Sequence, residues 1–379
     1  MTHNIPTDVD RRRFLAATGA IGAVGLAGCT GDDDDGENES DDGGAEGSIG
    51  QIGSGREGRG APGGTSMSDM PDLSGELTVY SGRGEFLVGE LIEYIEGLYD
   101  DFDLTVRYAG STDHVNAIVN EGEGSPADVF YSVNAGALGA LADEGRAQTL
   151  SAEITDLVRS EFRTDQWVGT SGRARSVPYD GSAYEASDVP SDIMAFPEEF
   201  DGDLGWAPSY GSCQAFVTAM RLIEGEEATR EWLEAVVESG ISAYSDELRV
   251  CQEIADGNID AAFANHYYIQ RVLDGNPDAT IETAFTEGDA GAVFNVAGAA
   301  VVDTTSEPTL AENFVRHLLS AEAQDYFART TFEYPLIPDV EPIGDLPTID
   351  ELDVPDIDLT ELSDLETTID LMRDAGVEV

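Results

Sequence analysis

The chain has 379 residues, 41% of them hydrophobic, enough for one or two sizeable cores, which excludes a disordered acidic protein. Its 76 acidic residues stand against 19 basic ones, a formal charge of -57, and every basic residue is an arginine. Carboxylates spread from end to end without a basic patch exclude nucleic acid and anionic lipid as partners and favour a cationic ligand; they also mark adaptation to concentrated salt, where screening shortens like-charge repulsion to a few Å.

Residues 1–29 read as an address. "R-R-R-F-L" carries Arg11 and Arg12, a short glycine-rich apolar run follows, and Leu26-Ala27-Gly28-Cys29 closes it: a twin-arginine signal ending in a lipobox. Twin-arginine export moves folded proteins, and lipid on Cys29 would hold the chain to the outer face of the cell membrane. Residues 30–75 are nearly all Gly, Asp, Glu and Ser, too poor in apolar groups to offset their ordering entropy, so an acidic, disordered tether is expected. A coil of that length reaches about 35–40 Å, more if its charges stretch it.

From Glu76 the pattern changes to short strands alternating with amphipathic helices. "E-L-T-V-Y" (76–80) is a strand, 86–99 repeats apolar residues at helical spacing, and "L-T-V-R-Y" (104–108) is a strand again. A helix around 115–120, the strand "A-D-V-F-Y" (127–131) and a helix around 135–143 complete a β-α-β-α-β-α run, which implies parallel strands. Farther on, helices are expected over 212–224, 227–238 and 247–256, then the strand "D-A-A-F-A" (260–264). Cys213 and Cys251 each stand near the start of a helix; spacing leaves a disulfide and two separate buried thiols equally open. With four histidines, one of them His3, no Cys-His zinc spacing can be built.

Six motifs in order, "Y-S-G-R-G-E" at Tyr80, "P-A-D-V-F-Y-S-V-N-A-G-A-L" at Pro126, "W-V-G-T-S-G-R-A-R" at Trp167, "Y-G-S-C-Q-A-F-V-T-A-M-R" at Tyr210, "A-N-H-Y-Y" at Ala264 and "N-V-A-G-A" at Asn295, followed by "S-A-E-A-Q-D-Y-F-A" at Ser320, resemble the ferric-iron-binding proteins of ABC-type iron importers. The resemblance covers about 76–345. It implies a two-lobed α/β periplasmic-binding-protein fold of type II, each lobe a mostly parallel sheet flanked by helices, with a hinge between lobes. The expected division is an N-lobe over 76–175, a C-lobe over 176–297, a return to the N-lobe over 298–345 and an acidic C-terminal segment over 346–379. A permease and its ATPase are the implied partners, and a monomer is expected.

Two adjacent phenols, Tyr267 and Tyr268, suit a small, hard, triply charged cation, which prefers anionic oxygen and displaces the phenolic proton. By themselves they read more readily as core residues, one in and one out; the resemblance assigns both to Fe(III). It also implies Tyr210 as a third ligand, and Gly211 and Ser212, at a helix N-terminus, are a natural seat for an anion. Gly84 and Val133 stand where some relatives use histidine and glutamate ligands, so that half of the site is missing. Arg83 is present, as in relatives that complete the shell with carbonate or a similar synergistic anion. Arg173 and Arg175 lie two apart in a strand-like run and share one face, so one of them would join Arg83 on the anion. Glu85 and Glu247 are further candidates as iron ligands, Asn265 is expected to bind the anion or orient a phenol, and His266 to be structural. The reading is a lipid-anchored binding protein and not an enzyme. Its alternatives are another ligand on the same fold, such as thiamine, a polyamine or another metal, and an extracellular hydrolase; the chain has no G-x-S-x-G and no H-E-x-x-H for the latter.

Overall fold

A computed structural model describes Ile52 and residues 62–379; the signal, the lipobox cysteine and most of the tether lie outside them. The expected elements appear in order: strand β1 (Gly75–Ser81), helix α1 (Glu85–Gly97), β2 (Phe102–Tyr108), α2 (Ser111–Glu121), β3 (Val129–Ser132) and α3 (Ala135–Asp143). Helix α1 buries Val88, Leu91, Ile92 and Ile95, the i, i+3, i+4, i+7 stripe read from the sequence. The crossover helices leave β2, β1 and β3 parallel.

After a single turn of helix, α4 (Ala152–Thr155), comes the element that shapes the molecule, the 13-residue strand β4 (Val168–Asp180). The second lobe then follows with α5 (Phe196–Glu199), β5 (Leu204–Trp206), α6 (Gly211–Glu224), α7 (Glu226–Glu238), β6 (Ser242–Ala243), α8 (Glu247–Ala255), β7 (Ala261–Ala262), β8 (Ala264–Asn265), α9 (His266–Gly275) and β9 (Ile281–Ala284). The chain returns through β10 (Phe294–Val301), α10 (Pro308–His317), α11 (Ala321–Tyr326) and β11 (Tyr334–Pro335), and ends with α12 (Leu365–Asp374). β4 belongs to both lobes: Val168 to Ala174 pair antiparallel with β10, whereas Arg175 and Ser176 pair with β8 and Val177 to Asp180 with β9. Parallel order holds for β2-β1-β3 and for β7-β5-β6, and the strands joining the lobes add the antiparallel pairs.

β10 pairs with β4 from Phe294 and with β3 from Gly298, where the return to the N-lobe is expected. The folded body starts before 75: Met67, Met70 and Leu73 are buried, and the carboxylate of Glu322 accepts from Ser66 Oγ at 2.6 Å and Met67 N at 2.9 Å. A buried carboxylate needs donors, and three apolar side chains within seven residues suffice to dock the strand of chain that brings them.

Candidate functional site

β4 changes lobe at Ala174, and the two arginines flanking that residue are held by opposite lobes. Arg173 donates from Nη2 to Val133 O and lies 4.0 Å from Glu333, both on the N-lobe side. Arg175, fully buried, makes a 2.5 Å ion pair with Glu247 of α8 and donates to Phe263 O in the C-lobe. Beside this crossing lies a cleft of about 770 Å³ lined by α2 and α3 on one side and by Tyr210, Ser212, Asn265 and Tyr267 on the other.

Two phenols, Tyr210 and Tyr267, line the cleft, and Tyr268, outside the lining, meets both. α9 starts directly after the two-residue strand β8, so Tyr267 and Tyr268 occupy its first turn and turn inward together, ring centroids 4.2 Å apart. Tyr210, immediately before α6, brings its hydroxyl to 2.6 Å from that of Tyr268. Asn265 Nδ2 reaches Tyr267 Oη at 3.5 Å, and its own backbone N–H is held by Glu247 Oε2 at 3.0 Å. The rings back onto a small apolar cluster with Val250, Cys251, Ile254 and Ile269, which keeps the first turn rigid. Burial pushes the Tyr267 phenol up, with the Arg173 charge opposing it, and pushes Tyr268 strongly up, helped by Tyr267 and by the bond to Tyr210. Without a cation these groups stay protonated at neutral pH. Among the described residues no three His, Cys, Asp or Glu side chains are grouped to hold a metal, although Asp143 and Glu144 also line the cleft.

Helix α6 opens on Tyr210 without a side-chain cap, leaving the first-turn amides of Gly211 and Ser212 outside the helical ladder, and Ser212 Oγ is buried without a partner. Arg173 Nε is likewise buried without a hydrogen bond, 4.0 Å from Glu333 Oε1. These groups and Asn265 all line the cleft or stand at its edge, the arrangement an anion fits.

Other expected site residues are engaged elsewhere. Arg83 is 1% exposed and outside the cleft lining; its guanidinium meets Glu333 at 2.5 Å and Ser171 Oγ at 2.7 Å. Arg175 borders the cleft, but its charge is matched by Glu247. In this structure both guanidiniums are matched by carboxylates of the protein, in place of the expected anion: each buried guanidinium needs a carboxylate, and the fold supplies one. Glu247 is engaged by Arg175 and by the backbone N–H of Asn265. Glu85 is exposed on the first turn of α1 and outside the lining. Cys213 and Cys251 are separate buried thiols, and burial pushes both up, Cys213 to about 12.

His266 is structural, as expected, and sits at the joint. Its Nδ1 accepts from Ala174 N at 3.2 Å and its Nε2 donates to Phe332 O at 2.8 Å, while burial pushes its pKa down to about 4 and keeps it neutral. Phe332 is the one non-glycine residue among those described with positive φ, 61°.

Sequence reasoning missed Glu333 and Arg271. Glu333 stands alone in the apolar run "F-E-Y-P-L-I", a signal that it needs an arginine. Arg271, one turn beyond the phenols, lies 5.0 and 5.4 Å from the centroids of Tyr267 and Tyr268, and helical spacing places it there.

Two lobes joined by a shared strand, with a polar cleft at the crossing, define an extracytoplasmic solute-binding protein of type II fold. Residues 90–351 match the model of the bacterial extracellular solute-binding proteins, and the chain belongs to that family. It is similar to the major ferric iron-binding protein of Neisseria meningitidis, 30% identical over 317 residues, 80% of this chain and 93% of that one. The Fe(3+)-binding periplasmic protein of Serratia marcescens is 25% identical over 310 residues, 79% of this chain and 90% of the relative. Among solved structures, iron-bound HitA from Pseudomonas aeruginosa superposes with a TM-score of 0.70 at 26% identity, covering 80% of this chain and 99% of that one.

Proposed function

We propose that the protein captures Fe(III) through the phenolates of Tyr210, Tyr267 and Tyr268 together with an exogenous anion, carbonate or a similar oxyanion, and delivers it to an ABC-type permease. The observation that carries this reading is the meeting of three phenols, Tyr210 and Tyr267 on the wall of a cleft whose other polar groups suit an anion and Tyr268 in contact with both. The iron-binding relatives support it. Three phenolates neutralise Fe(III). The anion would then add negative charge, and the buried group Arg83, Arg173 and Glu333 carries one net positive charge on the N-lobe side to meet it.

The test is a titration of the folded protein with ferric salt in molar sodium chloride, followed in the visible range and with a pH electrode. A phenolate-to-iron charge-transfer band should grow in with one equivalent of iron, and protons should be released, because burial keeps the Tyr267 and Tyr268 phenols protonated until the metal arrives. Affinity should therefore fall as pH falls. A colourless complex, or none, would overturn the iron reading and favour another cation or an organic ligand on this fold.

The tether and Cys29 complete the reading: a lipoprotein on the outer face of the membrane, exported through the twin-arginine route. Cys29→Ala should move the protein from the membrane fraction to the medium, since a tether without lipid has no other anchor. Retention in the membrane fraction would reject the lipobox assignment.

A further inference from the structure

The last part of the chain, left by the sequence as an acidic segment, ties the two lobes together beside the cleft. Its 3-10 turn, Leu359–Ser363, lies on α3 of the N-lobe at two glycines: a Cβ on Gly136 would fall 2.4 Å from Ser363 Cβ, and one on Gly139 would fall 2.9 Å from Thr360 Cβ. The absent side chains make the seat. Leu359 and Leu362 are buried in it. One residue later the chain enters α12, which packs on α6 and α7 of the C-lobe. There Asp364 pairs with Arg221 at 2.7 Å, the hydroxyls of Thr368 and Thr218 meet at 2.7 Å with both residues fully buried, and Met372 is fully buried. Leu362, Ser363 and Leu365, at the passage between the lobes, line the cleft.

We propose that this segment is a strap that restrains opening of the cleft, riveted to the C-lobe through α12 and seated on the N-lobe through Gly136 and Gly139. Its two anchors are unequal. A ten-residue helix with core side chains and a buried hydroxyl pair holds one end, and a five-residue turn on a glycine seam holds the other. When α3 and α6 separate, the turn must leave α3, so the contact between Thr360, Ser363 and the two glycines resists opening in addition to the strands that cross between the lobes. Its effect on release of the bound ion rests on the function proposed above; its effect on lobe separation does not.

The experiment uses a wedge and a lock on the complete chain. In the wedge, Gly136→Ala with Gly139→Ala places methyl groups where the strap sits, and alanine favours α3, so the helix itself is not weakened. In the lock, Gly139→Cys with Thr360→Cys brings two thiols close enough for a disulfide after a shift of about 1 Å. Small-angle scattering without ligand, in molar salt, should give a larger radius of gyration for the wedge than for the parent. The oxidised lock should be the most compact and should expand on reduction to the parent's radius or beyond, since the free Cys side chain at position 139 then acts as a wedge. With the ferric complex formed, loss of its colour to a competing chelator should be several-fold faster for the wedge and slower for the oxidised lock. A parent-like radius in the wedge, or in the lock both oxidised and reduced, overturns the strap. Radii that respond as stated in proteins that form no coloured complex leave the strap standing and reject iron. If the wedge fails to fold, the oxidised and reduced lock decides alone.

Discussion

Tyr268→Phe should leave the melting temperature close to that of the parent and abolish both the ferric charge-transfer band and tight iron binding. Only one oxygen is removed. The ring keeps its place against Tyr267 and under Arg271, and it remains almost wholly buried in the small apolar cluster of the C-lobe. The folded state loses the 2.6 Å bond to Tyr210, about 1 kcal/mol for a neutral pair, and Tyr210 retains access to the cleft and its solvent. The metal loses an anionic donor. Loss of a mere outer-shell partner costs a metal site roughly 10–100-fold in affinity, and a direct phenolate ligand should cost more than that. Tyr267→Phe should behave alike. Tyr179→Phe is the control, because that phenol bonds Glu282 in the C-lobe sheet and meets neither Tyr210 nor Tyr267. Colour and affinity retained in both the Tyr267 and Tyr268 variants would remove the phenols from the site, and loss in the Tyr179 variant would mean that the fold and not the ligand set is being measured.

Arg83→Ala should destabilise the folded protein by about 3–5 kcal/mol at neutral pH, because it strands a buried carboxylate. Glu333 is 7% exposed; it would keep Thr331 Oγ1 at 2.7 Å and Ser171 Oγ at 3.2 Å but lose its ion pair. The pH dependence carries the diagnosis. Burial raises the Glu333 carboxyl, and the Arg83 charge outweighs it, holding the group below the usual carboxylate range in the parent. A depressed folded value means stability that is present above the unfolded value, near 4.5, and is lost as the pH falls through the folded one. In Arg83→Ala the same carboxyl sits buried with its strongest counter-charge gone, so protonation relieves the variant at acid pH while it weakens the parent. The stability gap should therefore be widest at pH 7 and shrink near pH 4, measured by denaturant unfolding at fixed molar salt. Arg173→Ala is the functional counterpart: 18% of its side chain is exposed, it lines the cleft, and its loss should spare the fold while removing the gain in iron affinity on adding bicarbonate to bicarbonate-free buffer. Parent-like stability in Arg83→Ala, with the bicarbonate response lost there and kept in Arg173→Ala, would return Arg83 to the anion site.

What the amino-acid sequence determined by itself is what short-range chemistry carries. The acidic surplus, the β-α-β-α-β-α run, the helices from α6 to α8 and the tyrosine pair all follow from composition, apolar period and motif. Even the first turn of α9 is local: a short strand followed at once by a helix brings both rings to one side. The partners of the arginines are not local. Glu333 is 250 positions from Arg83, and Glu247 is 72 from Arg175, so whether a guanidinium meets an anion in the cleft or a carboxylate of the protein is decided only when the lobes assemble. Nothing in "R-A-R" tells that the strand changes lobe at its central alanine and hands one arginine to each side. The same holds for the end of the chain. Its acidic composition speaks of solvent, yet the glycines of α3 and the hydroxyl of Thr218 make it part of the cleft wall, because burial depends on what a surface finds to pack against, and that is a property of the assembled lobes.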